Sequence, residues 1–445
     1  MSVVKFFAGV VVGLLLAFGI FLALPKKPSA VIETLPVLPA APVITSCSTT
    51  TYDQVVPSLD AGGKMLVYMD AQGMRQAGDQ MFDTLRRFVK IGAKGRAQEA
   101  EAGLKAIDTC SSLFKTCGMT DIDGFGFSTI ETSSGRFHSK CIAHRKPGSV
   151  DDGLVWNLLQ SKDPASRGSD LLKVMPANAA VVVGGDCNLA EFRTWLKSML
   201  KANGSPAAID GFDKFEKAAA DEGFGLDRVL ASYAGRMALV VAIDDKQKMP
   251  VPMLKDPIAM PMAALVVAVN DGKLFDLIAG KATKDGKFKV VGTAERRQLI
   301  LIDPAGLPPA FNPVLVQDGK LLVLATLSAL ADSIFATQAN GKGLLSTPEF
   351  QDWSSHIGAE ANGFCYVSPA ATTMFSDIRD QYFQTLKSQN PESVAGLDDL
   401  VKRCYNFPTG FTACTVDKMG ILIKSNVQKN PPAFPPAPPE EHPPH

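Results

Sequence analysis

The chain carries few of the residue patterns that enzymes advertise. Five histidines stand in 445 residues, at 138, 144, 356, 442 and 445. None falls in the paired-histidine spacing of a zinc protease. No Gly-x-Ser-x-Gly elbow and no dinucleotide fingerprint occurs. The nearest phosphate-loop lookalike, Ala336 to Gly343, puts glycine where the hydroxyl belongs and follows a helical pattern rather than a strand. Eight cysteines include no Cys-x-x-Cys pair to grip zinc. Net charge is lacking as well. Forty-five basic side chains balance forty-five acidic ones, so no global field draws in nucleic acid. No catalytic, cofactor-binding or metal-ligating residue is singled out, and no cofactor is expected.

What the chain does have is apolar material, 46% of its residues, enough for large packed cores. Phe6 to Leu24 runs nineteen residues without a charge, and at helical rise it reaches about 28 Å, the depth of a bilayer core. The following Pro25-Lys26-Lys27-Pro28 is a poor cleavage site. Residues 1–24 therefore read as an uncleaved transmembrane anchor with an extracytoplasmic body beyond it; a cleaved signal with secretion is the alternative. Lys5 opposes Lys26 and Lys27, so charge alone sets the orientation weakly.

Residues 25–45, with five prolines, suit a stiff spacer, and 429–445 reads as an extended Pro-rich tail. Between them we expect a first α+β unit over 46–165 and a larger α+β region with two further units over 166–428. A short apolar strand opens each unit, at Met65–Met69, Ala180–Val183 and Phe364–Val367. A cap follows at Asp70, at Asp186 or Asn188, and at Ser368. Helices come next, one carrying Phe192, Trp195, Leu196 and Met199 on a single stripe. A second helix is expected to open at Gly103-Leu104, Gly225-Leu226 and Gly396-Leu397. This pattern predicts an α+β fold, a largely antiparallel sheet with paired helices on one face, built from repeated β-α-α-β units. The middle stretch adds a hairpin turning at Asp318-Gly319.

The phrasing Met175-Pro176-Ala177-Asn178-Ala179-Ala180-Val181-Val182-Val183, the Gly-Leu-Asp openings and Leu344-Leu345-Ser346-Thr347-Pro348-Glu349-Phe350 are similar to a large group of uncharacterised bacterial envelope proteins known only as a domain of unknown function. The resemblance covers about residues 60–428 in style. It implies an exported protein without assigned catalysis and transfers no functional residues.

Cys110 and Cys117 flank an apolar turn, Cys404 and Cys414 occupy the comparable passage of the third unit, and Cys141 competes with them. These are the disulfide candidates of an exported body; eight cysteines allow about 105 pairings, so connectivity stays open. Met249, Met253, Met260 and Met262 place four thioethers in fourteen residues. That makes a candidate binding loop, either an adaptable apolar cover or a soft-metal site. Three readings follow. The first is a membrane-anchored, noncatalytic protein that binds or scaffolds a protein or envelope partner. The second is an envelope hydrolase whose site is assembled from distant residues, with His144 or His356 at its centre. The third is a metal-handling protein using the methionine loop 249–262.

Overall fold

The computed structural model describes residues 49–428 apart from 93–96, 150–152, 162, 164–165, 204–205, 252–253, 303–310, 359 and 390–407. The anchor, the spacer, Met253, Gly396-Leu397, Cys404 and the tail lie outside the described residues. Among the described residues no helix is long and apolar enough to cross a membrane.

The elements run α1 (Thr49–Val55), β1 (Met65–Asp70), α2 (Ala71–Gly92), α3 (Ala97–Thr116), β2 (Ile122–Ser133), β3 (Arg136–Arg145), α4 (Leu154–Leu158), β4 (Ala179–Asp186), α5 (Leu189–Asn203), α6 (Pro206–Asp221), α7 (Leu226–Ser232) and β5 (Tyr233–Met249). They continue as β6 (Ile258–Val269), α8 (Lys273–Ala282), β7 (Phe288–Gly292), β8 (Arg296–Leu301), β9 (Val314–Asp318), β10 (Leu321–Ala325), α9 (Ser328–Asn340), α10 (Pro348–Ser354), β11 (Gly363–Val367), α11 (Pro369–Gln389), β12 (Thr409–Asp417) and β13 (Gly420–Gln428).

The strands form one 13-stranded sheet in the order β1-β2-β3-β13-β12-β11-β4-β5-β6-β10-β9-β8-β7. Every neighbouring pair is antiparallel. The fold is therefore α+β with an antiparallel sheet. The boundary expected near 165 falls between β3 and β4, which are not neighbours, and the sheet crosses it without a break through β13, β12 and β11. Short loops explain the adjacent hairpins. Gly319, at φ 54°, makes the turn between β9 and β10 that the Asp-Gly pair predicts.

Helices cover both faces of the sheet, not one. Along β9 and β10, Val314, Val316, Leu321 and Val323 join the core beneath α9 and α10, with Leu330, Ile334, Phe350 and Trp353. Their alternates Leu315 and Leu322 join Phe275 and Ala279 of α8 on the opposite side. Strands that are apolar at every position need cover on both sides, which is why the reading of one helical face fails here.

The β-α-α-β order occurs in β1-α2-α3-β2, but the next stretch places three helices between β4 and β5. Gly103-Leu104 does not open a helix. It lies inside α3, where a methyl group on Gly103 would stand 2.9 Å from Val89 Cγ1, so glycine lets α2 and α3 close together. The expected caps are present: Asp70 Oδ1 accepts from Gln72 N at 2.7 Å, Asn188 Oδ1 from Glu191 N at 3.4 Å and Ser368 Oγ from Ala371 N at 3.2 Å.

Candidate functional site

A cleft of about 590 Å³ opens beside the 3-10 segment Gly168–Val174 and α10. Its floor is apolar, from Leu172, Leu345, Phe350 and Phe411, and its rim carries Arg167, Asp170, Lys173 and Glu360. Local sequence sets this up. Thr347 caps α10 by accepting from Phe350 N, and Pro348 stands at the first helical position. Phe350 is thereby turned inward, edge-on to Phe411 at 4.9 Å and to Tyr366 at 5.3 Å between ring centroids. The Tyr366 hydroxyl donates to Glu349 Oε1 at 2.7 Å, which fixes the ring from the far side.

Asp170 organises the rim. It accepts from Arg167 N at 2.9 Å, Lys173 Nζ at 2.7 Å and Arg236 Nη1 at 3.3 Å. Burial opposes its ionisation, but the Lys173 and Arg167 hydrogen bonds and the nearby Arg236 charge hold its carboxyl below the usual range. Arg167 also lies 3.6 Å from Glu360. The rim thus offers both signs of charge over an aromatic floor, a combination that fits a segment with charged and apolar groups close together.

The wall behind the rim is rigid. A methyl on Gly168 would stand 2.2 Å from the Asn362 carbonyl and 2.5 Å from Asp186 N, so the 3-10 segment lies directly on the ends of β4 and β11. Asp186 is buried there and accepts from Asn362 Nδ2 at 3.0 Å, while Asn362 Oδ1 accepts from Val416 N at 2.9 Å. Burial pushes the Asp186 carboxyl up, against the hydrogen bonds from Gly168 and Asn362. Beside it, burial also raises the Cys187 thiol and the Tyr233 phenol.

The most enzyme-like pair lies elsewhere. His144 Nδ1 and Asp123 Oδ1 are 2.6 Å apart, and Thr51 Oγ1 of α1 donates to Asp123 Oδ2 at 3.3 Å. His144 is fully buried, and among the described residues its Nε2 meets no hydrogen-bonding group. A hydrolytic triad would have its nucleophile at that nitrogen. His356 instead stacks on His138 at 5.4 Å.

The other predicted residues scatter. Cys110 lies in α3 and Cys117 just past its end, about two turns away, roughly 10 Å and too far to bridge. Cys414 and Cys141 share one face of the sheet but are separated by Ile423 of β13, placing their Cα atoms about 10 Å apart, beyond disulfide reach. Burial pushes the Cys414 thiol up to about 11, with Cys141 adding to the shift. Met260 and Met262 are not in a loop; they lie on β6, 1% and 7% exposed, and Met262 packs into the sheet's core. Met249 ends β5, opposite Ile258. No group of three or more His, Cys, Asp or Glu side chains able to hold a metal occurs among the described residues.

Sequence reasoning missed the cleft because its lining comes from residues 167 to 411, far apart along the chain. The one local signal was the capped Thr347-Pro348-Glu349-Phe350. No local pattern marks Asp123, and only β2–β3 pairing brings it to His144. No protein-family model, curated protein or solved structure matches the chain.

Proposed function

We propose that this chain is a membrane-anchored, extracytoplasmic binding protein that takes up a peptide or a peptide-bearing wall component in the cleft between Gly168–Val174 and α10. The observation that carries this reading is the cleft itself, with its aromatic floor at Phe350 and Phe411 and a rim bearing Arg167, Lys173, Asp170 and Glu360. The long apolar run Phe6–Leu24 supports the anchor, and the stiff spacer 25–45 supports a body held clear of the bilayer. A short extended segment with one acidic and one basic group satisfies the rim while its apolar side chains cover Phe350 and Phe411.

Calorimetric titration of the full chain in detergent with short amphipathic peptides and peptidoglycan stem-peptide fragments tests the reading. Saturable binding that weakens at least about tenfold on Lys173→Glu, a loss on the order of 1.4 kcal/mol, is the expected result. Binding unchanged by Lys173→Glu and by Glu360→Lys would remove the cleft from the account.

A further inference from the structure

The outer wall of the cleft is fastened to the first third of the sheet. Ser354 and Gly358 line the cleft, and His356 lies midway between them, its ring set against that of His138 on β3 with centroids 5.4 Å apart. Ile357, the next residue, is buried in the same core as Phe350 and Phe411. Movement of the His356 ring is therefore felt within two residues by both parts of the wall.

α10 has a separate fastening just before this stretch. Arg136 of β3 stacks on Trp353 at 4.2 Å and donates to Asp352 Oδ2 at 2.7 Å, while Asn426 Nδ2 of β13 donates to Trp353 O at 3.0 Å. Arginine keeps its charge, so this contact holds α10 while imidazoles change theirs. The segment 354–358 depends instead on the imidazole pair.

His138 is poorly placed to carry a proton. Its Nε2 is buried and, among the described residues, has no hydrogen-bonding partner. On its side of the sheet β3 adds Arg136 and Lys140, and β13 adds Asn426 and Lys424. β2 places Ile130 opposite it. Asp352 of α10 is taken up by Arg136. Asp60, ahead of β1, favours the charge, but its Oδ1 already holds Lys140. Burial, His356, Lys140 and Lys424 oppose it. An imidazolium at this position gains by leaving the stack for water.

We infer that the His138–His356 stack is a pH-sensitive latch on the cleft: neutral, it holds Ser354 and Gly358 in the wall, and protonated, it parts and weakens the grip on a ligand. The inference rests on the peptide-binding reading only for what the latch regulates. The closed form is complete above the ordinary histidine value of about 6.5 and is lost as pH falls below it. Binding and protonation oppose each other reciprocally, so an occupied cleft keeps the latch closed.

The test is hydrogen exchange of the full chain in detergent at about pH 7.5 and pH 5.5, with rates corrected for the intrinsic effect of pH. Protection of amides in 354–358, measured relative to Val182 and Val323 at the centre of the sheet, is expected to fall about tenfold in acid. In His138→Gln and His138→Phe, whose side chains are neutral at both values, this extra loss should vanish. A loss no larger at 354–358 than at Val182 and Val323, or an equal loss in the native protein and both variants, overturns the latch. Calorimetric titration with a short peptide of Lys, Phe, Glu and Leu reads the second half. Its binding should be about tenfold weaker at the lower pH in the native protein and equal at both in His138→Gln. Opening of 354–358 without binding at either pH keeps the latch and removes the peptide reading. Binding that weakens in acid without that opening keeps the peptide reading and overturns the latch.

Discussion

The imidazole of His138, on β3, lies over that of His356, just past α10, with ring centroids 5.4 Å apart and planes tilted by 39°. Asp60, Lys140 and Lys424 surround the pair, and Lys140 Nζ is bonded to Asp60 Oδ1 at 2.6 Å. Burial lowers the pKa of His138 beneath its ordinary 6.5; Asp60 opposes this, and His356, Lys140 and Lys424 add to it.

Acid should therefore destabilise the protein through this pair. The folded-state pKa is depressed, so the unfolded chain takes up the proton first, and the stabilisation is complete above about 6.5 and is lost as pH falls below it. Urea midpoints measured at about pH 7.5 and pH 5.5 should drop in the native protein. In His138→Gln the drop should be smaller; an equal drop would place the acid sensitivity elsewhere.

Trp156 is fully buried, donates from Nε1 to the Gly118 carbonyl at 3.1 Å and lies 4.9 Å beneath the Arg145 guanidinium. Truncation to alanine should cost about 3–5 kcal/mol. Because Trp156 also packs with Ala71 at the start of α2, Trp156→Ala should increase proteolysis within 71–116 before global unfolding. Chemical denaturation and limited proteolysis read the two effects separately.

Gly168 and Gly211 make a matched pair. A methyl on Gly168 collides with the Asn362 carbonyl, whereas one on Gly211, inside α6, meets nothing within 4 Å. Gly168→Ala should destabilise by about 1–3 kcal/mol and distort the cleft wall. Gly211→Ala should stabilise by about 0.5–1 kcal/mol, because alanine gives up less backbone entropy in a helix. Thermal melting of both variants checks the contrast.

Asp123→Ala removes the acceptor of both His144 and Thr51. It should cost about 1–3 kcal/mol by leaving the imidazole and hydroxyl without their partner. It should also loosen α1, seen as faster amide exchange over Thr49–Val55. Ligand binding in the cleft should be unchanged. A loss of turnover on some hydrolysable substrate, without the loss of stability, would instead argue for chemistry at His144.

Much of the fold was legible from local sequence. The apolar runs at 65–69, 180–183 and 364–367 are strands, Asp70, Asn188 and Ser368 cap helices, and Asp318-Gly319 turns a hairpin. These features depend on neighbours within a few residues. What was not legible depends on pairing at long range. Nothing near Lys424 says that it will sit opposite Lys140, yet β13 pairs with β3 there. The cleft shares this difficulty, since Phe350 and Phe411 meet only after α10 has packed over β12. Met260 and Met262 were misplaced because the prolines around them read as loop. Pro261 sits within β6, where Met260 and Met262 take buried alternate positions and Met262 joins the main core.

The position of the last two strands bears on how the chain is made. β12 and β13 stand between β3 and β11, so the first three strands have no neighbour on their inner side until residues 409–428 have left the ribosome. Until then β3 presents an open edge and Cys141, Ile142 and His144 lack their final surroundings. A chain emerging from its N-terminus must hold this third of itself unfinished while the middle strands assemble, a window in which chaperone capture or misassembly competes with closure. Loss of the last forty residues would thus leave a three-stranded and an eight-stranded sheet with nothing joining them, not one slightly shorter protein.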